Sequence, residues 1–413
     1  MKICVISYHS CPFSLLGQDG VGGMSVYLKE LSRSLTQRFE IKIDIFTRVQ
    51  NPDIKGIRPF SSKLRVIHLE GGPPKKIDRK DLDQYLPEFM ERLQKFMIQE
   101  KPEHNLVYSH YWLSGIAGEK IKADFKIPLI HKYHTIGFLK EKASSSQENG
   151  QRLEVEKKLS GISDLIISSS EQEKFHLVRE YGIEPSKVSV IHPGVNKHMF
   201  FQSKGQSLFM EAGIDPGSFV LLYVGRIEPV KNLMILVELL EKLKVREEEI
   251  YDCFQIVVIG GGRKEKDFEK NSEILNLQTE IKRRGFIDKI SFLGSRRQED
   301  LKQYYSNADA LIVPSLYESF GLVALEALAC GCPVIGSRVG EMTSLIKEKK
   351  NGISFNPDDT ESLMKSVKFI YYHRGRMWDA RQIRERVIRQ YSWERTASRT
   401  QEIFLELSRR SGF

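Results

Sequence analysis

Short runs of apolar residues alternate with amphipathic stretches along the whole chain. The runs are KICVIS, KIDIFT, NLVYSH, IPLIHKYH and DLIISSS in the first 170 residues, and FVLLYVG, QIVVIGGG, KISFLGS, ALIVPS and CPVIGS between 219 and 337. Each run is apolar nearly throughout, as strands covered on both faces require. Helical periodicity separates them, as in GGMSVYLKELSRSLTQRF and PVKNLMILVELLEKLKV. The alternation predicts parallel sheets and doubly wound α/β folding.

This strand–helix pattern runs twice, which predicts two Rossmann-like domains in a chain of 413 residues. Pro193 and Gly194 in VIHPGVNKHMF have the composition of a linker. We expect an N-terminal domain at 1–198 and a C-terminal domain at 199–389. The closing helix, SWERTASRTQEIFLELSRR within about 390–413, is compatible with packing on either half, including back on the N-terminal domain.

The net charge of +9 and the pI near 9.1 suit nucleic acid, an anionic membrane surface, a phosphorylated small molecule, or simply a basic solvated surface. The chain contains no recognised nucleic-acid motif and its positive residues are dispersed, which argues against a nucleic-acid partner. It has no apolar stretch of about 18 residues or more, and MKICVISY lacks the apolar core of a signal peptide. We therefore expect a cytoplasmic protein, with peripheral membrane contact left open.

The cysteines and acidic residues show no pattern typical of a cofactor or metal site. The five cysteines form no CxxC pair, and they are interpreted as small packing residues in a reducing compartment; they are Cys4, Cys11, Cys253, Cys330 and Cys332. No D-x-D pair follows a strand, and no His/Cys cluster has metal-ligand spacing. We expect neither an essential metal nor a cofactor.

Polar residues that follow the strands of the second half are the candidates for ligand binding, because ligands bind at the carboxyl ends of parallel strands. Arg226 and Lys231 follow FVLLYVG around a predicted helix start, where two cations suit a diphosphate or are merely solvated. Gly260 follows the next strand, where backbone can approach a ligand closely. Arg296 follows KISFLGS, near the position of a nucleotide base.

The stretch YESFGLVALEALACGCPVI carries two glutamates eight positions apart. Glu318 lies in a turn, and Glu326 lies within an apolar helix predicted at about Leu322–Ala329. A buried carboxylate is costly without a partner. Ribose hydroxyls would be one such partner for Glu326, and a neighbouring Arg or Lys would be another.

Two stretches, GRIEPVKN and PSLYESFGLVALEALACGCPVIGSRVG, together resemble the motifs of glycosyltransferase family 4, the retaining nucleotide-sugar transferases of GT-B fold. The resemblance implies two Rossmann-like doubly wound α/β domains facing across a cleft. It implies that Arg226 and Lys231 neutralise the departing diphosphate, that Glu326 binds ribose and that Glu318 contacts the donor sugar. Backbone amides would hold phosphate and sugar at Phe320, Gly321, Leu322 and Val323.

The same resemblance implies the chemistry. A hexose would be transferred from a nucleotide-diphosphate sugar, with UDP as the nucleotide because it is the most frequent one in the family. The acceptor would attack the anomeric carbon on the face that the diphosphate leaves, so that the configuration is retained, and the leaving phosphate would take the proton of the acceptor. A hydrolase with two carboxylates fits the glutamate spacing as well, but the phosphate-binding cations argue against it. A module that holds nucleotide without turnover is a further alternative.

The glycines before MSVYLKEL suggest a loop that brings backbone amides to an anion, or else a flexible loop. They are Gly20, Gly22 and Gly23. In the family the matching loop faces the donor diphosphate.

GGMSVYL, GGPPKK, HYWLSGIAG and HTIG resemble the branch containing sucrose-phosphate synthases, mannosylfructose-phosphate synthases and inositol-phosphate glycosyltransferases, which act on phosphorylated acceptors. The resemblance places His134 near the donor sugar. It assigns the acceptor phosphate to Tyr111, Thr135, Arg152 and a cation among Arg79 and Lys80.

Two segments depart from the family pattern. Gly340-Glu341 stands where the family has two glycines, and LKEKASSSQENGQRLEVEKK is predicted to be a mobile acceptor loop. A lipid or polysaccharide acceptor at a membrane therefore remains the alternative to a soluble sugar or cyclitol phosphate, in a monomer or a homodimer.

Overall fold

The structure is a computed structural model that describes residues 1–14, 22–100, 103–144, 148–203, 208–262, 271–375 and 378–410. Its strands are β1 Lys2–Ile6, β2 Lys42–Arg48, β3 Gly56–Ser61, β4 Leu64–Leu69, β5 Leu106–His110, β6 Leu129–Lys132, β7 Leu165–Ser168, β8 Val188–Val190, β9 Phe219–Val224, β10 Phe254–Ile259, β11 Ile290–Phe292, β12 Ala310–Val313, β13 Val334–Ser337 and β14 Gly352–Phe355.

The helices of the N-terminal half are α1 Gly23–Arg38, α2 Leu86–Glu100, α3 Trp112–Phe125, α4 Gly137–Ser144, α5 Gly150–Ile162 and α6 Glu171–Tyr181. Those that follow are α7 Leu208–Glu211, α8 Met234–Arg246, α9 Glu248–Cys253, α10 Ser272–Arg283, α11 Leu301–Asn307, α12 Leu322–Ala329, α13 Met342–Leu345, α14 Thr360–Tyr372, α15 Ala380–Gln390 and α16 Trp393–Arg410. Two 3₁₀ turns bear on the site, Arg79–Asp81 and Pro229–Lys231.

The described residues fall into two compact units. Residues 1–14 and 22–193, together with α16, form the N-terminal unit, and the described residues from Gly194 to Ser392 form the C-terminal unit. The division falls at the predicted Pro193-Gly194 linker, five residues before the predicted boundary at 198/199. Helix α16 packs on α1, because its apolar stripe, including Trp393 and Phe404, enters the same core as Tyr27.

The N-terminal unit contains a sheet of order β3-β4-β2-β1-β5-β6-β7-β8. The pairs are parallel except β3–β4, which is antiparallel at the edge. Buried residues of β1 and β5 alternate between two cores, one on each face, as Ile3 and Cys4 illustrate. Covering on both faces explains why these strands are continuously apolar in sequence.

The C-terminal unit contains a parallel sheet of order β11-β10-β9-β12-β13-β14. The strand order reverses at β9, which pairs with β10 on one side and with β12 on the other. That reversal is the switch point at which an open α/β sheet binds its ligands. The turn that ends at Lys231 follows β9, and the turn that contains Glu318 follows β12.

The ten predicted strands are all present, and the fold class is confirmed: both units are doubly wound α/β, with sheets that are parallel except at the β3–β4 pair. The apolar pattern did not predict β3, β4, β8 and β14. In β3 every side chain is exposed and Pro59 lies within it, so the strand has neither an apolar run nor an alternating pattern. All five cysteines are free. Over the described ranges, no helix has both the length and the apolar character to cross a membrane.

Candidate active site

Two predicted site residues meet at the carboxyl end of the C-terminal sheet. The Lys231 ammonium donates to Glu318 Oε2 over 2.6 Å, with the two side chains only 18% and 15% exposed. Nearby, the Leu316 amide donates to the Val230 carbonyl oxygen over 2.8 Å. These contacts hold the turn after β9 and the turn before α12 together as one piece of structure.

Arg226 is the other predicted cation, directly after β9. Its guanidinium pairs with Glu228, and the Arg226 side chain is 44% exposed. The backbone beneath it is fixed, because the buried Tyr223 hydroxyl donates to the Arg226 carbonyl oxygen over 2.6 Å. Arg226 is therefore a half-exposed cation, paired with Glu228, on a fixed backbone, whereas the Lys231 ammonium is largely buried against Glu318.

Close backbone packing explains two glycines at this edge of the sheet. A Cβ at Gly260 would overlap the Gly225 carbonyl oxygen, and one at Gly340 would overlap the carbonyl oxygen of Glu318. Gly340 also has φ of 51°, in the left-handed region. Where the family has two glycines, this chain therefore keeps the first, Gly340, which the close packing against the Glu318 turn requires. The second is replaced by Glu341, which is buried.

Glu326 is buried within α12, as expected, and its two oxygens accept from two other elements. Oε1 accepts from Gln298 Nε2 over 2.9 Å and Oε2 accepts from the Tyr305 hydroxyl over 3.0 Å. Burial, followed by the Glu326 charge, raises the pKa of Tyr305 well above its usual range, so this hydroxyl stays a donor. The carboxylate is oriented by neutral donors that the sequence analysis did not identify.

The remaining predicted donor-site residues of this unit surround α12. Gly321 precedes the helix with φ of 88°, and Leu322 and Val323 open it, so their amides belong to the unbonded first turn. Phe320 is buried, with its ring 5.8 Å from that of Tyr391. Arg296 lies after β11, where its Nε donates to the Tyr304 hydroxyl over 3.1 Å.

Backbone and side-chain bonds join the loop after β10 to the loop after β11. The Gly260 amide donates to the Gly294 carbonyl oxygen over 3.2 Å, and the Gly262 amide donates to Ser295 Oγ over 3.2 Å. Gly260 and Arg296, both predicted donor-site residues, therefore lie on two loops that are tied together at the same end of the sheet.

In the N-terminal unit, His134 follows β6 with φ of 61° and forms a pair with His110, which ends β5. His134 Nε2 lies 2.9 Å from His110 Nδ1. Burial, aided by the Lys132 charge, lowers the pKa of both imidazoles well below the usual range. Both rings are therefore neutral at pH 7, so one nitrogen of this bond donates and the other accepts.

Three of the predicted acceptor residues converge beside this pair. Arg152 Nη2 donates to the carbonyl oxygen and to Oγ1 of Thr135, over 2.9 and 3.1 Å. The Arg152 guanidinium carbon lies 5.0 Å from the centre of the Tyr111 ring. Arg152 itself is only 3% exposed and is paired with Glu148 and Glu156, two carboxylates that the motif did not indicate.

The other predicted residues of this unit lie on separate elements. Gly22 is the N-cap of α1 and Gly23 its first residue, while Gly20 lies outside the described residues. Arg79 and Lys80 lie on the exposed turn Arg79–Asp81, between β4 and α2.

The prediction of a mobile acceptor loop at LKEKASSSQENGQRLEVEKK is wrong for its described part. Most of it belongs to α4 and α5, with 145–147 outside the described residues. The polar composition reflects ion pairs: Lys140 of α4 pairs with Glu148 just before α5, and Arg152 pairs with Glu156 within α5. Spacing of four residues was the available signal for the pairs that Arg152 forms with Glu148 and Glu156.

Family models match both halves of the chain. The model described as Glycosyltransferase Family 4 matches residues 21–198, and the one described as Glycosyl transferases group 1 matches 206–386. D-inositol 3-phosphate glycosyltransferase 2 of Catenulispora acidiphila is 31% identical over 98% of this chain and 94% of its own length. The chain belongs to glycosyltransferase family 4.

Two solved structures agree with the assignment of this chain to the family. Sucrose-phosphate synthase from Thermosynechococcus elongatus matches with a TM-score of 0.87 and 28% identity, covering 98% of both chains. The Anabaena protein HepE, in complex with UDP-glucose, matches with a TM-score of 0.75 and 18% identity over 98% of this chain and 100% of its own, which supports the GT-B fold. The predicted resemblance to this family, and to its branch that contains inositol-phosphate glycosyltransferases and sucrose-phosphate synthases, is confirmed.

Groups of acidic, histidine and cysteine side chains suitable for a metal ion do not occur in the part of the chain that the structure describes. At the carboxyl end of the C-terminal sheet, Arg226 and Lys231 each lie beside a glutamate, Glu228 and Glu318. Such groups bind and orient anions, which is the chemistry that a nucleotide sugar and a sugar phosphate both require.

Proposed function

We propose that this glycosyltransferase moves a hexose from a nucleotide-diphosphate sugar, UDP-linked, to a phosphorylated sugar or cyclitol, with retention and without a metal ion or cofactor. The observation that carries the proposal is the convergence of Arg152, Thr135 and Tyr111. A guanidinium, a hydroxyl and a phenol suit the several acceptor oxygens of a phosphate. The relatives named for inositol phosphate and sucrose phosphate support the same acceptor class.

On the donor side, Lys231 and Arg226 would neutralise the diphosphate as it leaves. An ammonium has three N–H donors, so the bond to Glu318 orients Lys231 and still leaves donors for phosphate oxygens. Amides of Gly321, Leu322 and Val323 at the start of α12 would add hydrogen bonds and the favourable helix dipole. Charge stabilisation of this kind is the largest contribution that a transferase of this type needs.

Glu326 would accept hydrogen bonds from the ribose hydroxyls, in the orientation that Gln298 and Tyr305 set. Glu318 and the neutral His134 would contact the donor hexose. His134 would act as a hydrogen-bond partner of the sugar, because its lowered pKa keeps the ring uncharged at pH 7. The proton of the acceptor hydroxyl would pass to the leaving phosphate on the same face, so neither glutamate acts as a nucleophile.

The proposal is tested by incubating the protein with UDP-, GDP- and ADP-hexoses and a panel of sugar and cyclitol phosphates. We expect a glycosylated phosphate with the anomeric configuration of the donor, by NMR of the product, and unchanged turnover in EDTA. A product of inverted configuration, or loss of activity in EDTA, would refute the mechanism. Transfer only to lipid acceptors in anionic vesicles would favour the membrane alternative.

Within the acceptor set, Thr135→Val is the sharpest substitution because it removes one hydroxyl and keeps the volume. We expect a KM for the acceptor about tenfold higher, corresponding to one hydrogen bond to a charged group. Arg152→Met is less informative, since it leaves the buried Glu156 without its ion-pair partner.

A further inference from the structure

A network of four charged side chains links α4 to α5 beside Thr135. Lys140 Nζ donates to Glu148 Oε1 over 2.6 Å, and Arg152 Nη1 donates to Glu148 Oε2 over 2.8 Å. Arg152 Nε donates to Glu156 Oε1 over 2.7 Å. The two positive and two negative charges of this network cancel. If all four side chains stayed where they are, a phosphate bound among them would add an uncompensated negative charge to a largely buried site.

The two carboxylates are held very differently. Glu156 is fully buried, and its Oε2 accepts from the Gly137 amide over 2.9 Å and the Tyr181 hydroxyl over 2.6 Å. Its displacement would leave buried donors unsatisfied, which is costly. Glu156 is therefore a fixed part of the fold.

Glu148 lies two residues before the first residue of α5, and its side chain is 13% exposed. Its hydrogen bonds go to the two cations, one to each oxygen. A carboxylate that bridges an ammonium and a guanidinium makes the contacts that a phosphate would make with the same pair. Among the described residues the Glu148 carboxylate has no bond to a backbone group, so its movement toward solvent would break its two bonds to the cations.

We propose that Glu148 is a specificity-determining residue: its carboxylate occupies the anion position between Lys140 and Arg152 until the acceptor's phosphate displaces it. Lys140 then becomes a further ligand of that phosphate. This inference rests on the proposed function of the site, since it assigns the displaced anion to a phosphorylated acceptor.

Electrostatics give the reason for selectivity. A phosphate carries a charge of about −1.5 to −2 near pH 7 and exceeds the single charge of the carboxylate that it replaces. An acceptor without phosphate gains nothing from Lys140 and Arg152 while Glu148 remains between them. The internal anion thus favours phosphorylated acceptors over neutral ones.

The test uses Glu148→Gln in the full chain, which removes the charge and keeps the shape. The matched control is Glu154→Gln, which changes an exposed carboxylate on the neighbouring helix α5. Titration calorimetry with inorganic phosphate alone should show affinity about tenfold higher for Glu148→Gln than for the wild type, on the scale of one hydrogen bond to a charged group. The control should bind phosphate as the wild type does, and Lys140→Met should bind it about tenfold more weakly.

Kinetics give a second readout that a purely structural role would not move. For a phosphorylated acceptor, Glu148→Gln should lower KM and leave kcat unchanged. Unchanged phosphate affinity in Glu148→Gln, or a lower affinity with an intact urea transition, overturns the inference. If Glu148→Gln is unstable in urea, Glu148→Asp, with the same charge and a shorter reach, should still bind phosphate more tightly than the wild type, and failure to do so overturns the inference.

The two hypotheses fail in different ways. Higher phosphate affinity in Glu148→Gln, without hexose transfer to any phosphorylated acceptor, supports the displaced carboxylate and refutes the proposed function. Hexose transfer by the wild type, with no effect of Glu148→Gln on phosphate affinity or KM, supports the proposed function and overturns this inference.

Discussion

Removal of the Lys231 ammonium is the perturbation with the largest predicted effect on turnover. Lys231→Ala leaves Glu318 with the Ser315 hydroxyl at 3.5 Å in place of an ion pair at 2.6 Å. The pair lies in a partly water-excluded place, since the two side chains are 18% and 15% exposed. At an effective dielectric constant of about 20, two unit charges about 4 Å apart interact by about 4 kcal/mol.

The same charge would act on the departing diphosphate. Loss of one preorganised donor at a developing negative charge costs about 3–4 kcal/mol, or about 10²–10³ in kcat. We therefore expect Lys231→Ala to lower kcat by about 10²–10³. Lys231→Arg should recover only part of this loss, because a guanidinium keeps the charge but not the reach and geometry of the ammonium.

The assay is release of nucleoside diphosphate at saturating donor and acceptor, with a urea transition to show that the fold is retained. Lys350→Ala is the matched control, since it removes an exposed lysine of the same unit that has no assigned role in the site. An Lys231→Ala enzyme whose kcat stays within about tenfold of the wild type, a difference of 1.4 kcal/mol, would contradict the role assigned to this lysine.

Three further predictions concern the donor site, the turn beneath it and the N-terminal core. Glu326→Ala should raise the dissociation constant for UDP about 10–100-fold by calorimetry, on the scale of a hydrogen bond to a charged group, with Gln298→Ala giving a smaller rise because it only reorients the carboxylate. Gly340→Ala should lower the free energy of unfolding by about 1–3 kcal/mol, because the added Cβ overlaps the Glu318 carbonyl oxygen; Gly182→Ala, also at positive φ but with open space around it, should cost less. Asp44 is buried, which raises its pKa, but bonds from Arg65, His104 and Lys2 outweigh burial and hold that pKa well below its usual range. Its stabilisation is present above the unfolded pKa of about 3.9 and is lost as the pH falls, so urea unfolding should show Asp44→Asn less stable by about 3 kcal/mol at pH 7, with the difference shrinking below about pH 4.

The fold was predictable because strands covered on both faces leave continuous apolar runs, which β9 and β12 illustrate. Strand β3 escaped prediction for the converse reason: all its side chains are exposed, and its position depends on antiparallel pairing with β4. The predicted range of helix α12 agrees with the structure at both ends. Its apolar segment lies between two glycines of positive φ, Gly321 and Gly331.

The site was predictable where the residue type itself limits the chemistry. Lys231 and Glu318 were both named from their positions after strands, but that they bind each other depends on how two turns pack, which a linear motif does not record. Tyr305 was not predicted to bond Glu326, because a tyrosine on a helix is more often a core residue, and this one is buried as well as bonded.

The same physical requirement, a counter-ion for each substrate-binding cation, applies in both units. A partly buried cation prepared for an anionic substrate, such as Lys231 or Arg152, would destabilise the fold without a counter-ion. Glutamates meet that requirement here: Glu318 beside Lys231, Glu228 beside Arg226, and Glu148 between Lys140 and Arg152. We expect the two partly buried carboxylates, Glu318 and Glu148, to stabilise the unliganded protein and to compete with an anion for their cations. Substitution of either of them by glutamine should therefore shift stability and anion affinity in opposite directions, whereas loss of the cation lowers both, and that contrast separates a counter-ion from a substrate-binding residue.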